Sequence, residues 1–293
     1  MRKKQWLPPL DAAVLLLVSG GAAWFIHRTF SVLEYHWDWG FIPQYLLLFT
    51  DDGWQLGLLT RGLLTTLRLS IYSSLLALVF GTAFGLMRTS PRLLKRLMGS
   101  TYVGLVRNLP PLVLIFVGYY FLSTHMMSLL GVEEWVYTLS DASRAWMSLL
   151  FGPMNQFPDF LSGVLILALF EGAYITEIVR AGIESVELGQ WESSAALGFN
   201  RRGQLRFVIL PQALHRMLPA LAGQFISTIK DSAIVSIISI AELTFAAQEL
   251  MSASYRTFEV WITVLIMYFL LCFSLSLAVR KIELSMNKYR PDL

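Results

Sequence analysis

Cysteine and charge are both scarce in this chain of 293 residues. The single cysteine, Cys272, excludes an intramolecular disulfide and argues against a cysteine-based metal site. Charged residues make up only 15% of the chain, against 55% hydrophobic residues. That is too little charge to cover the surface of a water-soluble domain of this length.

Sequence motifs of common enzyme classes are missing as well. The chain has no H-E-x-x-H, no G-x-S-x-G and no G-x-x-x-x-G-K-[ST] motif. Its four histidines are scattered and form no metal-binding spacing. We therefore expect no catalytic residues, no metal site and no nucleotide hydrolysis in this chain.

Long apolar runs are abundant. A helix needs roughly 18 or more apolar residues to cross about 30 Å of hydrocarbon. The runs predict an all-α polytopic membrane protein with helices near 12–26, 56–87, 102–123, 160–179, 214–240 and 260–279. Arg61 and Arg68 share one helical face, so we expect an amphipathic lead-in that bends into the second helix. Pro110 and Pro111 are expected near the start of the third.

Basic residues flank the apolar runs. The formal charge of +3 comes largely from a turn at 88–96, a polar stretch at 180–206 and a C-terminal tail. Basic residues favour the cytoplasmic side of a membrane protein. Six crossings with both termini in the cytoplasm place all three groups on that side.

The N-terminal region permits two interpretations. A short apolar run within residues 10–27 follows the basic start MRKK, as in a cleavable signal peptide. Asp11 and two prolines at its beginning favour a retained helix instead. We divide the chain into residues 1–55 (this helix and an external interfacial segment), 56–283 (the transmembrane domain) and 284–293 (a cytoplasmic tail).

The polar stretch between the fourth and fifth apolar runs contains the most specific pattern. In GQWESSAALGFNRRGQLRFVILPQAL, Gly189 and Gly198 bracket a segment of good helix formers. A second helical piece is expected to end at Leu210-Pro211, because proline interrupts a helix. A short helix lying along the membrane surface can receive force from a partner.

This pattern resembles the EAA loop of ABC importer permeases. The family motif has Glu-Ala-Ala, Gly, an isoleucine and Leu-Pro at fixed spacing, and the chain matches it with Val208 in the isoleucine position. Two serines replace the usual alanines. By this resemblance the loop 184–212 couples the chain to an ATPase through Gly189, Glu192, Ser193, Ser194, Gly198, Leu210 and Pro211.

Further segments are similar to the polar amino acid uptake branch of that family (histidine, glutamine and glutamate permeases). They are YVGLVRNLPPLVLIFVGYYFL, AYITEIVRAGIESVELGQWESSAALG and LPQALHRMLPALAGQFISTIKDSAIVSIISIAEL. The resemblance implies a type I importer transmembrane domain with a five-helix core, to which this chain adds an N-terminal helix. The outer loop at 126–157 is longer than the family pattern.

The resemblance also implies function and partners. The chain is expected to be the permease subunit that moves a polar amino acid across the bacterial inner membrane. One partner would be a cytoplasmic ATPase dimer, which binds the ATP and Mg²⁺. The others would be a second permease, either identical or a sister chain, and an extracytoplasmic amino-acid-binding protein. The alternative is a secondary transporter driven by an ion gradient, but no internal repeat supports it.

Several charged residues fall within apolar runs, where charges are costly and often functional, and four of them are considered for the substrate pathway. They are Arg68, Glu171, Lys230 and Asp231. Each is a candidate for the substrate pathway. The structural alternative pairs Glu171 with Arg68 or Lys230. Lys230 and Asp231 point in different directions on a helix, so they serve two partners or mark a broken helix.

Overall fold

The computed structural model describes residues 9–32, 35–51 and 53–287. The chain divides into two compact units, one ending at Gly40 and one beginning at Phe41. The first unit contains helix α1 (Pro9–Val32), which covers the first predicted apolar run. Its apolar stretch, Leu10–Phe25, is shorter than a full membrane span. Residues 1–8 and 288–293, with the predicted basic start and most of the predicted tail, lie outside the described residues.

The second unit is almost entirely helical. A 3₁₀ turn (Trp39–Phe41) ends at its first residue, and the unit contains one small hairpin. Its elements in chain order are α2 (Pro43–Leu46), β1 (Leu47–Thr50), β2 (Gly53–Leu56), α3 (Leu58–Arg88), α4 (Leu93–Asn108), α5 (Pro111–Phe121), a π-helical segment (Leu122–Met127), α6 (Val132–Thr138), α7 (Asp141–Phe151), a 3₁₀ turn (Met154–Gln156), α8 (Phe157–Glu184), α9 (Leu188–Ala196), α10 (Arg201–Gly203), a π-helical segment (Gln204–Ile209), α11 (Leu210–Asp231), a 3₁₀ segment (Ser232–Ile238), α12 (Leu243–Ser254) and α13 (Thr257–Asn287).

Four helical stretches of the described chain are long and apolar enough to cross a membrane. They are Leu58–Arg88, Met154–Glu184, Arg201–Ile238 and Thr257–Lys281. A fifth is possible if α4 and the following Pro111–Met127 form one broken span. These stretches confirm the predicted all-α membrane fold.

The third predicted helix is not one helix. The chain breaks at Leu109 and Pro110 and turns by 112° between α4 and Pro111–Met127. Proline disfavours helical geometry in the residue before it and lacks an N–H for the helix ladder. Two consecutive prolines therefore end α4 and start α5, and the prediction of a continuous helix over 102–123 was wrong.

The predicted bend before the second span is also absent. The hairpin β1–β2 pairs Leu47 with Leu56 and ends beside Gly57, the residue that precedes α3. Helix α3 then runs without a break from Leu58 to Arg88. The hairpin, not an amphipathic helix, leads into this span.

Helices α3 and α8 form the centre of the unit. A Cβ atom on Gly81 would lie 2.4 Å from Ile175, and one on Gly85 would lie 2.6 Å from Val179. These two glycines are one helical turn apart, so their missing side chains let the two backbones approach closely. This contact packs the C-terminal half of α8 against α3.

The long outer loop predicted at 126–157 is mostly helical. It contains α6 and α7, and Ser140 caps α7 by accepting a hydrogen bond from the Ser143 N–H at 3.3 Å. Arg68 of α3 donates to the Leu149 carbonyl of α7 at 2.9 Å. One element of this segment is therefore tied to a membrane span.

Candidate functional site: the coupling loop and the intramembrane polar cluster

The loop 184–212 contains the short helix predicted from the sequence. Helix α9 spans Leu188–Ala196, between α8 and the long stretch that contains α11. Gly198 has φ +83°, a conformation that suits glycine. The Gly198 N–H donates to Ala195 O at 2.9 Å and the Phe199 N–H to Ser194 O at 3.2 Å. This is the Schellman arrangement, which ends a helix abruptly and explains the glycine of the motif.

Contacts on both sides attach α9 to its neighbours. Trp191 is partly buried against the apolar cluster that includes Ile209, and the Arg201 guanidinium lies 3.7 Å from its ring centroid. The Gln212 amide donates to Gln190 Oε1 at 3.1 Å. Helix α9 is therefore fastened to the beginning of the next span.

The motif residues of α9 divide between a packed side and an exposed side. Ser194 is 2% exposed and donates to Trp191 O at 2.9 Å, so only a small side chain fits there. Glu192 and Ser193 are exposed. Within the described part of the chain, Glu192 has no hydrogen-bond or ion-pair partner. Its carboxylate is available to another molecule.

Leu210-Pro211 does not end a helix, contrary to the prediction. The preceding six residues, Gln204–Ile209, are π-helical, and the Leu210 N–H donates to Leu205 O, five residues back. Pro211 then lies in the first turn of α11, where its missing N–H leaves no bond unmade. The wider turn lets a span pass through the proline.

Glu171 is fully buried between α8 and α11. Its Oε2 atom accepts a hydrogen bond from the Gln224 amide at 2.6 Å. Its carboxyl also lies within interaction distance of the Asp231 carboxyl. In the residues that the structure describes, no ion pair joins Glu171 to Arg68 or Lys230, so both predicted pairings were wrong. A neutral amide is the partner instead.

The four charged candidates do not form one group. Glu171 and Asp231 lie together, and Asp231 is half-buried. Lys230 is exposed at the end of α11, on a different side from Asp231 as predicted for adjacent residues. Arg68 is separate and contacts α7.

Glu242 and Glu259 are fully buried carboxylic residues that were not anticipated from the sequence. Glu242 is the N-cap residue before α12, where it accepts the Phe245 N–H at 2.8 Å. It also accepts the Tyr268 and Thr66 hydroxyls at 2.8 and 3.3 Å. Burial raises the pKa of this carboxyl. It joins α3, α12 and α13. The sequence carried little signal for this role, because Ser, Thr, Asp and Asn, and not Glu, are the preferred N-cap residues.

No group of three or more His, Cys, Asp or Glu residues within the described ranges could hold a metal ion.

Comparison with known proteins agrees with this architecture. The family model described as binding-protein-dependent transport system inner membrane component matches residues 73–288. The glutamate/aspartate import permease protein GltJ of Escherichia coli K12 is 29% identical over 255 residues, 86% of this chain and 97% of GltJ.

A shorter match is closer in sequence. The glutamine transport system permease protein GlnP of Escherichia coli K12 is 39% identical over 128 residues, which is 44% of this chain and 58% of GlnP. The match thus spans little more than half the length of that relative.

A solved structure shares both fold and sequence. The crystal structure of an amino acid ABC transporter with histidines superposes with a TM-score of 0.60 at 32% identity, covering 77% of this chain and 92% of that chain. The chain therefore belongs to the family of binding-protein-dependent transport system inner membrane components, and its fold is that of an ABC importer transmembrane domain.

Proposed function

We propose that this chain is the permease subunit of an ATP-driven importer of a polar amino acid in the bacterial inner membrane. A cytoplasmic ATPase dimer would dock on α9, and an extracytoplasmic binding protein would deliver the solute. ATP and Mg²⁺ would be bound by the ATPase, and this chain would perform no hydrolysis.

The observation that carries this proposal is the build of the coupling loop. Helix α9 exposes Glu192 and Ser193, while Trp191 and Ser194 pack on its other side. Helix α9 is packed against the chain on one side, and on the other side it presents polar side chains without partners among the described residues. Such a surface suits a docking contact. The motif residues Gly189, Gly198, Leu210 and Pro211 shape the connections that hold this surface in place.

A mechanical route leads from α9 to the membrane interior. The Gln190–Gln212 contact joins α9 to α11, and the Glu171–Gln224 contact joins α11 to α8. ATPase closure would displace α9 and move these helices together. Importers of this kind alternate between two states, and each ligand must favour one state through its own differential contacts.

Relatives support an amino acid as the solute. The permeases similar to this chain are named for glutamine and for glutamate and aspartate. We propose Glu171, Asp231, Lys230 and Arg68 as polar groups of the pathway. Carboxylates and a lysine near one helix end provide both signs of charge for a zwitterionic solute.

A second permease, identical or a sister chain, would complete the pathway. In the 18-residue apolar window of each span, 33% of the residues are buried in Arg201–Ile238 and only 11% in Thr257–Lys281, compared with 72% in Met154–Glu184. Apolar helices that this chain leaves uncovered must face lipid or another subunit.

Transport measured in liposomes tests the proposal. We expect uptake of a labelled amino acid only when the chain is reconstituted with its ATPase and binding protein and supplied with ATP and Mg²⁺. Uptake by the chain alone under an ion gradient would instead establish a secondary transporter and contradict the proposal.

A further inference from the structure

Three arginines line a cavity of about 540 Å³ at the end of α8 that leads into the coupling loop. Arg107 comes from the last turn of α4, Arg180 from α8 and Arg216 from α11. Of the lining residues, Glu177 alone carries a negative charge. The cavity walls thus have a surplus of positive charge.

The carboxylate of Glu177 is already occupied by other arginines. It accepts hydrogen bonds from Arg88, which lies outside the cavity wall, and from Arg180 at 2.8 Å. Arg107 forms a looser ion pair with it at 3.7 Å, which is beyond hydrogen-bonding distance. The Arg107 guanidinium instead lies 5.3 Å from the Tyr174 ring centroid. Its five N–H donors are therefore largely unused.

Arg216, unlike Arg107, has no carboxylate partner among the described residues. Its guanidinium donates to the Ser185 carbonyl and lies 3.4 Å from the Ser185 hydroxyl. Both acceptors are neutral, and in the described ranges no ion pair involves Arg216. Two guanidinium groups with spare donors thus face one cavity. Guanidinium forks suit phosphate oxygens especially well.

The remaining wall of the cavity is apolar. Ile178, Met217 and Ala220 line it beside the arginines. The cavity lies along the last residues of the span Met154–Glu184, where a membrane helix leaves the hydrocarbon for the headgroup region. A ligand that fits here carries a negative head and an apolar tail.

We propose that this cavity binds an anionic membrane phospholipid. The phosphate would contact Arg107 and Arg216, and an acyl chain would lie along Ile178 and Met217. Basic pockets between membrane helices on the cytoplasmic side are suited to anionic headgroups. Such a lipid would bridge α4, α8 and α11 directly beneath the coupling loop. The proposal uses only the fold and does not depend on which solute is carried.

Native mass spectrometry of the purified full-length chain tests this site. Phosphatidylglycerol and phosphatidylcholine with the same acyl chains are added in turn, and the bound fraction is measured. We expect phosphatidylglycerol to bind about tenfold more tightly, and the double variant Arg107→Gln/Arg216→Gln to lose that preference. Equal retention of phosphatidylglycerol by the double variant would overturn the proposal.

A control of equal charge separates the site from general attraction. Arg92→Gln/Arg96→Gln removes two exposed basic residues that lie outside the cavity and should keep the preference. An equal loss in this control would overturn the proposal. Thermal unfolding of both variants in phosphatidylcholine checks that each is folded. If the double arginine variant fails to fold, Ala220→Phe is measured instead. This substitution keeps all charges and narrows the cavity at its apolar wall, so it must weaken lipid binding. Unchanged binding there counts against the proposal.

Soluble glycerol phosphate distinguishes a lipid from a free phosphate compound. It carries the same charged group without an acyl chain, so we expect it to displace phosphatidylglycerol poorly. Displacement as efficient as that by the lipid would assign the site to a soluble ligand and overturn the lipid assignment.

Discussion

Glu192 and Glu171 are glutamates of neighbouring segments with opposite surroundings. Glu192 lies on α9, exposed, and has no partner among the described residues. Glu171 lies within α8, fully buried, and accepts a hydrogen bond from Gln224. The buried carboxyl of Glu171 is held by a hydrogen bond to one oxygen, while its Oε1 atom has no hydrogen-bond partner among the described residues. The exposed carboxylate of Glu192 is available to a partner outside the chain. The two residues should therefore respond differently to substitution.

Charge reversal at the exposed site should have the largest effect. We expect Glu192→Lys to abolish ATP-coupled uptake while the protein stays folded and inserted. Losing a charged contact in an interface costs about 2–5 kcal/mol, or at least about 30-fold in docking affinity. Co-purification with the ATPase and uptake in liposomes measure this. Normal coupled uptake in Glu192→Lys would remove the docking role from α9.

Substitution at the buried site should act mainly on stability. Glu171→Ala leaves the Gln224 amide without its acceptor inside the membrane fold. We expect a loss of about 1–3 kcal/mol, seen as a lower midpoint of thermal unfolding in detergent. Glu249→Ala, an exposed glutamate on α12, is the matched control and should unfold like the native protein.

The milder Glu171→Gln separates structure from solute contact. It keeps the size of the side chain and replaces the carboxyl group with an amide. If Glu171 belongs to the solute pathway, the KM for uptake should change more than ATPase docking does. A change confined to the unfolding midpoint would assign this carboxyl to the fold alone.

The end of α9 allows a paired glycine test with a smaller effect. Gly198 has positive φ and open space around its Cα, so Gly198→Ala adds backbone strain without a clash. The expected cost is about 1–2 kcal/mol, with weaker ATPase docking because α9 is displaced. Gly189→Ala has the same open surroundings and no positive φ, and it should be neutral or slightly stabilising. Equal effects of the two substitutions would contradict the Schellman cap.

Arg68 should give the smallest effect. Arg68→Gln removes the hydrogen bond to the Leu149 carbonyl, and this hydrogen bond is partly exposed to solvent. We expect a loss of stability of no more than about 1 kcal/mol and near-native ATPase docking. Uptake kinetics then measure its proposed place in the pathway. A collapse of folding would show that α7 is held mainly through this arginine.

The sequence predicted the coupling loop better than the membrane interior. Between Gly189 and Gly198 the local chemistry decides the structure, because helix formers and a positive-φ glycine act over a few residues. The membrane spans were predicted from hydropathy because that signal is also local to each segment. Their long apolar runs carry the signal without reference to other segments.

Contacts between distant segments were not predictable in this way. Glu171 and Gln224 meet only because α8 and α11 pack together, and a single sequence does not specify which faces touch. The same holds for Glu242 and Tyr268. The prediction that a helix ends at Pro211 was wrong for a different reason. Its effect depends on the π-helical turn before it, which has no clear residue signature.

Cross-linking of the assembled transporter tests the central claim most directly, namely that an ATPase contacts α9. A single cysteine is introduced by Glu192→Cys in a Cys272→Ser background. The control is Glu249→Cys in the same background, on α12 at the far side of the next span. A cross-link to the ATPase from position 192 and none from position 249 is the predicted result. A cross-link from 249 with none from 192 would contradict the account.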